Sequence, residues 1–173
     1  MPGERILIVD DDPFTLELLT ESLSEQGFKP VAAQDSQRAL EILGRGEFHV
    51  ALVDLSLPGI EGMDLVREVN ATAPEAAVII MTGYPTLDSA IQALRQGAGD
   101  YIVKPFKVQE MVAAVEKALA QRSMKAEISA LRARVRDLEQ ELKRYLEPGG
   151  GGLRPAGGGR TISPGGAYGG RRQ

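Results

Sequence analysis

Apolar residues in this chain come in short blocks, and longer stretches with helical spacing lie between them. Arg5 to Val9 is an apolar run that ends on Asp10, Asp11 and Asp12, and Pro13 follows where a helix can begin without losing a needed N–H. Phe14, Leu16, Leu18, Leu19 and Leu23 then recur at roughly helical spacing until Gly27. Lys29 to Ala33 reads as a weak second strand, and Ser36 as the N-cap of a helix carrying Ala39, Leu40, Ile42 and Leu43. Val50 to Val53 is a third strand ending on Asp54, followed by a loop with Pro58, Gly59 and Gly62 and a helix from about Met63 to Asn70. Ala76 to Met81 is apolar almost throughout, the mark of a strand buried on both faces. A helix from Thr86 to Gln96, a turn at Gly97 to Gly99 and a short strand from Tyr101 to Val103 complete the pattern.

Five strands separated by helices of this length predict an α/β fold with a doubly wound parallel sheet and helices on both faces, because parallel neighbours need crossover connections. This pattern covers residues 4–121, long enough for a self-sufficient core. Beyond Phe106 there is no Gly or Pro from Lys107 through Glu147, so a helix starting there can run for about 60 Å. Met111, Val112, Val115 and Leu119 are expected to pack its first part on the sheet. In residues 122–147, Ile128, Leu131, Val135, Leu138, Leu142 and Tyr145 alternate spacings of three and four, the a/d seam of a coiled coil. Residues 148–173 hold eleven Gly and three Pro without a core-forming pattern, so a disordered tail is expected there.

Charge sharpens this division. The net charge of -4 conceals a tail with four Arg and no Asp or Glu, which leaves the remainder at -8. The absence of Cys excludes disulfides, thiol nucleophiles and cysteine-ligated metals. No apolar run is long enough to span a membrane, and the N-terminus turns acidic too early for a signal peptide, so a cytoplasmic protein is expected.

The chemistry-bearing residues gather at the carboxyl ends of the predicted strands, where open parallel sheets bind ligands. The first strand delivers Asp10 and Asp11, the third Asp54, the fourth Thr82, and the fifth Lys104, with Tyr101 on the strand itself. Clustered carboxylates call for a hard cation with oxygen ligands, which suits Mg²⁺. A hydroxyl and a lysine beside them suit phosphate oxygens. Asp12 reads either as a third acid of the site or as a charge at a helix start. His49, the only histidine, reads as a strand-edge residue and leaves no basis for an internal histidine phosphorelay.

Four motifs appear in a fixed order: VDDDP at 9–13, D-x-x-x-P-x-x-x-G from Asp54 to Gly62, MTGY at 81–84, and DYIVKPF at 100–106. In these the chain resembles the response-regulator receiver domains of two-component signalling, and the wording of MTGYPTLDSA and GAGDYIVKPF is most similar to receivers of the nitrogen-regulator type. The resemblance implies a flavodoxin-like strand order 2-1-3-4-5 and a cis peptide between Lys104 and Pro105. It also implies Asp54 as phosphoacceptor, Asp11 as a direct Mg²⁺ ligand with Asp10 acting more through water, and the Ser56 carbonyl as a further ligand. Thr82 and Lys104 would hold the phosphoryl group, and Tyr101 would be the aromatic that turns inward when Thr82 is drawn to it.

The implied partner is a sensor histidine kinase or phosphotransfer protein, and the domain is a phosphoacceptor rather than an enzyme. Ser56 and Tyr84, which flank the site by the same analogy, offer no carboxylate or amide to align water, so a long-lived acyl phosphate is expected. Receivers of this type normally precede an ATPase and a DNA-binding domain, and no Walker loop or helix-turn-helix pattern follows residue 121. Output is therefore expected through protein contacts: a homodimer through the C-terminal helix or through the face of the fourth helix, fifth strand and fifth helix. The alternative is a scaffold or assembly protein that uses the receiver fold as a dimerisation platform.

Overall fold

The computed structural model describes residues 3–58 and 62–146. Five strands, β1 (Arg5–Val9), β2 (Lys29–Ala33), β3 (Val50–Asp54), β4 (Ala77–Thr82) and β5 (Asp100–Val103), form one sheet in the order β2-β1-β3-β4-β5. All four pairings are parallel. The expected fold class and strand order are therefore those observed.

Strand periodicity divides the core in two. Leu7, Val9, Ala51, Val53, Val78 and Ile80 point to one face, where they meet the helices α2 (Ser36–Leu43), α3 (Gly62–Thr72) and α4 (Leu87–Arg95). The alternate residues Ile6, Ile8, Val50, Leu52, Ile79 and Met81 point to the other, against α1 (Pro13–Glu25) and the first turns of α5 (Val108–Leu146). Successive side chains of a strand face opposite sides, so a strand buried on both must be apolar throughout. That is why β1, β3 and β4 read as unbroken apolar runs.

Three local readings shift. Asp35, not Ser36, caps α2: its carboxylate accepts the Arg38 N–H at 2.7 Å and Ser36 becomes the first helical residue. Both types cap well, and the one whose side chain reaches the third helical N–H sets the boundary. Phe14 is 70% exposed, while Leu16, Leu19 and Leu23 carry the buried stripe of α1. The buried stripe of early α5 is Met111, Ala114, Val115 and Ala118, with Val112 and Leu119 partly buried against it.

The chain divides into two units at the Leu131/Arg132 step, and α5 belongs to both. The tail read at 148–173 lies outside the described residues.

Candidate functional site

Strand register alone brings the acids together. Val9 lies opposite Val53, so Asp10, the next residue after β1, is level with Asp54 at the end of β3. Asp54 pairs in register with Met81, which sets Thr82 one step beyond it, and Thr82 pairs with Val103, which sets Lys104 one step further. The Lys104 N–H donates to the Thr82 carbonyl at 2.7 Å, and the Lys104–Pro105 peptide is cis.

Asp10, Asp54 and Thr82 are buried, and Asp11 is exposed. Carboxylate oxygens of Asp10, Asp11 and Asp54 come within 4.8 Å of one another. The half-buried Lys104 ammonium bridges two of them, donating to Asp10 Oδ2 at 2.5 Å and to Asp54 Oδ2 at 2.8 Å. The other oxygens are held by the backbone: Asp12 N–H donates to Asp10 Oδ1 at 2.9 Å, and Ser56 N–H to Asp54 Oδ1 at 2.8 Å. Asp10 and Asp54 are thus each held from both sides before any ligand arrives.

The electrostatics follow from burial. Desolvation pushes the Asp10 carboxyl above its ordinary value, and its bonds to Lys104 and Asp12 offset this only in part. For Lys104, burial acts downward, but the bonds to Asp10 and Asp54 outweigh it and hold the ammonium above its ordinary value. A lysine raised in this way contributes stability that is fully present below its unfolded-state pKa and is lost only as pH climbs through the raised one. At neutral pH the Lys104 ammonium is therefore charged.

Asp12 is not among the clustered acids. Its side chain caps α1, accepting from Phe14 N–H and Thr15 N–H, both at 3.2 Å, and from Thr15 Oγ1 at 2.7 Å. The Thr15 hydroxyl bond is the largest cause that holds its pKa below the usual carboxylate range. Of its two readings, the helix-start charge describes its position. His49 has a structural role as well: its Nδ1 accepts the Arg5 N–H at 3.1 Å.

Thr82 Oγ1 accepts the Tyr84 N–H at 3.1 Å. Tyr101 is half-buried on β5, packed against the core, and its hydroxyl lies 2.8 Å from Ser89 Oγ on α4. Ser89 in turn forms a capping box with Thr86, in which Ser89 N–H donates to Thr86 Oγ1 at 3.0 Å and Thr86 N–H to Ser89 Oγ at 3.1 Å. Ser89 does not stand out among the candidate residues above, although T-x-x-S ahead of an apolar stripe is a capping signature. Replacing Thr86 with Ala is expected to lower stability by about 1 kcal/mol in urea unfolding, with Thr86→Ser close to the parent. Lys117 on α5, also unforeseen, donates to Asp100 at 2.9 Å. Burial opposes ionisation of Asp100, yet this ion pair and the Tyr101 N–H keep its pKa below the usual value.

Residues 6–116 match the family described as the response regulator receiver domain. The chain belongs to this family. The receiver domain is 36% identical over 127 residues to the regulatory protein AtoC of Escherichia coli (strain K12), covering 73% of this chain and 28% of that protein. It is likewise 36% identical over 115 residues to the DNA-binding transcriptional regulator NtrC of the same strain, covering 66% and 24%.

Among solved structures it resembles a CheY-like receiver domain protein from Methanospirillum hungatei JF-1, with 30% identity and a TM-score of 0.69, covering 70% of this chain and 98% of that one. It also resembles NtrX from Brucella abortus, with 32% identity and a TM-score of 0.70, covering 73% and 29%. The chain spans about a quarter of the length of these curated relatives. Likeness to nitrogen-regulator-type receivers is thereby established.

Receiver domains serve two-component signalling with histidine kinases as partners, bind Mg²⁺ at an acidic pocket, and are not enzymes in the classical sense. Among the described residues no helix is long and apolar enough to cross a membrane.

Proposed function

We propose that this receiver is phosphorylated on Asp54 by a histidine kinase or phosphotransfer protein, with Mg²⁺, and signals through protein contacts that include its C-terminal helix. The observation that supports this most is the convergence of Asp10, Asp11 and Asp54 with a lysine across two of them. The donor set fits the ion, being all hard oxygen. Asp10, Asp11, Asp54 and the Ser56 carbonyl would hold it. Bound there, Mg²⁺ supplies positive charge against the oxygens of a phosphoryl group.

An Asp54 oxygen attacks phosphorus, the P–N bond of the phosphohistidine breaks, and the imidazole departs with that electron pair and is protonated. Positioning and charge neutralisation carry such a transfer. Lys104 exchanges its bond to Asp54 for one to a phosphoryl oxygen, and the Thr82 hydroxyl turns from the Tyr84 N–H to another. Tyr101 then fills the space that Thr82 leaves and gives up Ser89. Tyr84 is 82% exposed, and neither it nor Ser56 carries a carboxylate or amide to align water, which supports a long-lived acyl phosphate.

With acetyl phosphate and Mg²⁺, the intact mass of the protein is expected to rise by one phosphoryl group and to persist well beyond seconds. Asp54→Ala should gain none; equal uptake by that variant overturns the assignment.

A scaffold role is favoured by one feature, the exposed apolar stripe of α5. Deleting residues 122–173 tests this second reading, because partner binding that survives the deletion intact removes its basis.

A further inference from the structure

Between Ala118, the last buried residue of α5, and Leu146, every large apolar residue but the half-buried Leu119 is exposed. These residues are not scattered. Taking Ile128 as position a of a heptad, the a positions are Ile128, Val135 and Leu142, and the d positions are Met124, Leu131, Leu138 and Tyr145. They are 49% to 85% exposed. One heptad earlier the pattern stops, with Gln121 at a and Lys117 at d, and Lys117 is engaged with Asp100. The seam is therefore confined to residues that the sheet does not cover.

We infer that this seam binds a second copy of the same chain as a parallel, in-register, two-stranded coiled coil running from Met124 to Tyr145. The inference rests on reading the C-terminal helix as the output element and is independent of phosphorylation at Asp54.

Charge and side-chain shape identify the occupant. The g and e positions that flank the seam are Glu127, Arg134 and Glu141 at g, and Lys125, Arg132 and Glu139 at e. In a parallel pair, each g residue faces the e residue five positions later on the partner helix. Glu127 then meets Arg132 and Arg134 meets Glu139, each twice by symmetry, with no like-charge pair. The seam is its own complement.

An antiparallel pair that sets Val135 against Leu138 also matches charges, placing Arg132 against Glu139 and Arg134 against Glu141. One observation selects the parallel form: the antiparallel register would set Met124 opposite position 149, a glycine in the sequence, whereas the parallel one buries Met124 against its own copy. Within a parallel coil, β-branched Ile128 and Val135 at a with Leu131 and Leu138 at d favour two strands over three or four.

Because the chain has no Cys, a single introduced thiol reports orientation without interference. In the full-length protein, Leu131→Cys is expected to form a disulfide-linked dimer under mild oxidation. The antiparallel register separates the two 131 positions by about 16 Å along the axis, beyond the roughly 7 Å limit for a disulfide.

Sedimentation equilibrium should give a dimer for the parent. Glu127→Arg should raise the dissociation constant about ten-fold. The double variant Glu127→Arg/Arg132→Glu should restore it, since the swap keeps the opposite charges of the parallel pair. In the antiparallel pair the same swap would set two negative charges against each other, at positions 132 and 139. A monomeric parent, a dimer without the 131 disulfide, or a double variant weaker than Glu127→Arg overturns the inference. Phosphoryl uptake measured on the same samples shows whether the Asp54 reading stands or falls separately.

Discussion

Replacing Lys104 with Met is expected to lower stability by about 3–5 kcal/mol near neutral pH, the range for removing one partner of a buried ion pair. The loss should shrink as the solution is made acid. Lys104 is the cation that donates to both Asp10 and Asp54, and without it two buried carboxylates face each other with no counter-charge. Asp10 already stands above its ordinary value of 3.8, chiefly through burial.

The sign follows from that. An acid whose folded-state pKa is raised destabilises the fold progressively as pH rises from the unfolded value through the raised one. Removing Lys104 widens that interval upward. Urea unfolding across pH, with a chelator present, measures the effect, and millimolar Mg²⁺ should recover part of the loss at neutral pH. A variant equal to the parent at every pH would show that the bridge carries no energy.

Gly62→Ala is expected to be the second large effect, at about 3 kcal/mol, the upper end for overpacking a filled site. A methyl group there would lie 2.4 Å from Leu55 Cα, 2.8 Å from its carbonyl oxygen and 2.9 Å from its carbonyl carbon. These are backbone atoms and cannot swing aside. Gly62 opens α3 and Leu55 directly follows Asp54, so any relief moves the acid whose Oδ1 is held by the Ser56 N–H. Phosphoryl uptake should slow along with the fall in the urea midpoint. An unfolding free energy within a few tenths of a kcal/mol of the parent's would mean that the loop does not press on α3.

Much of the fold is legible in the sequence because burial on both faces leaves a direct trace: β1, β3 and β4 cannot be other than apolar. The acids are legible for a related reason, since a carboxylate that ends an apolar run has one place to go, the edge of the sheet. What the residues do not disclose is who touches whom. Lys104 reads from sequence as a phosphate ligand, while the structure has it bound to Asp10 and Asp54. Ser89 carries a helix-start signal, but its bond to Tyr101 depends on α4 and β5 lying side by side, which is tertiary information. Phe14 is apolar but lies two residues from Leu16, about 200° around α1 at 3.6 residues per turn, so it sits on the face opposite the Leu16, Leu19 and Leu23 stripe. An apolar residue within a helical stretch joins the core only where its angle agrees with the stripe.

The nine residues of α4 bury a single side chain, Ala93, and its first turn is held by the Thr86–Ser89 box and the bond from Ser89 to Tyr101. A helix with so little apolar area to lose opens at small free-energy cost, so its amides should exchange with solvent through local opening rather than through global unfolding. The same hydroxyl that caps the helix also tethers the aromatic ring. Departure of the ring, as proposed for the phosphorylated state, would therefore loosen the end of α4. A rotation at one side chain would then be coupled to the lifetime of a whole turn of helix, and hydrogen exchange at residues 87–90 would record it as a change in rate with no change in the sheet.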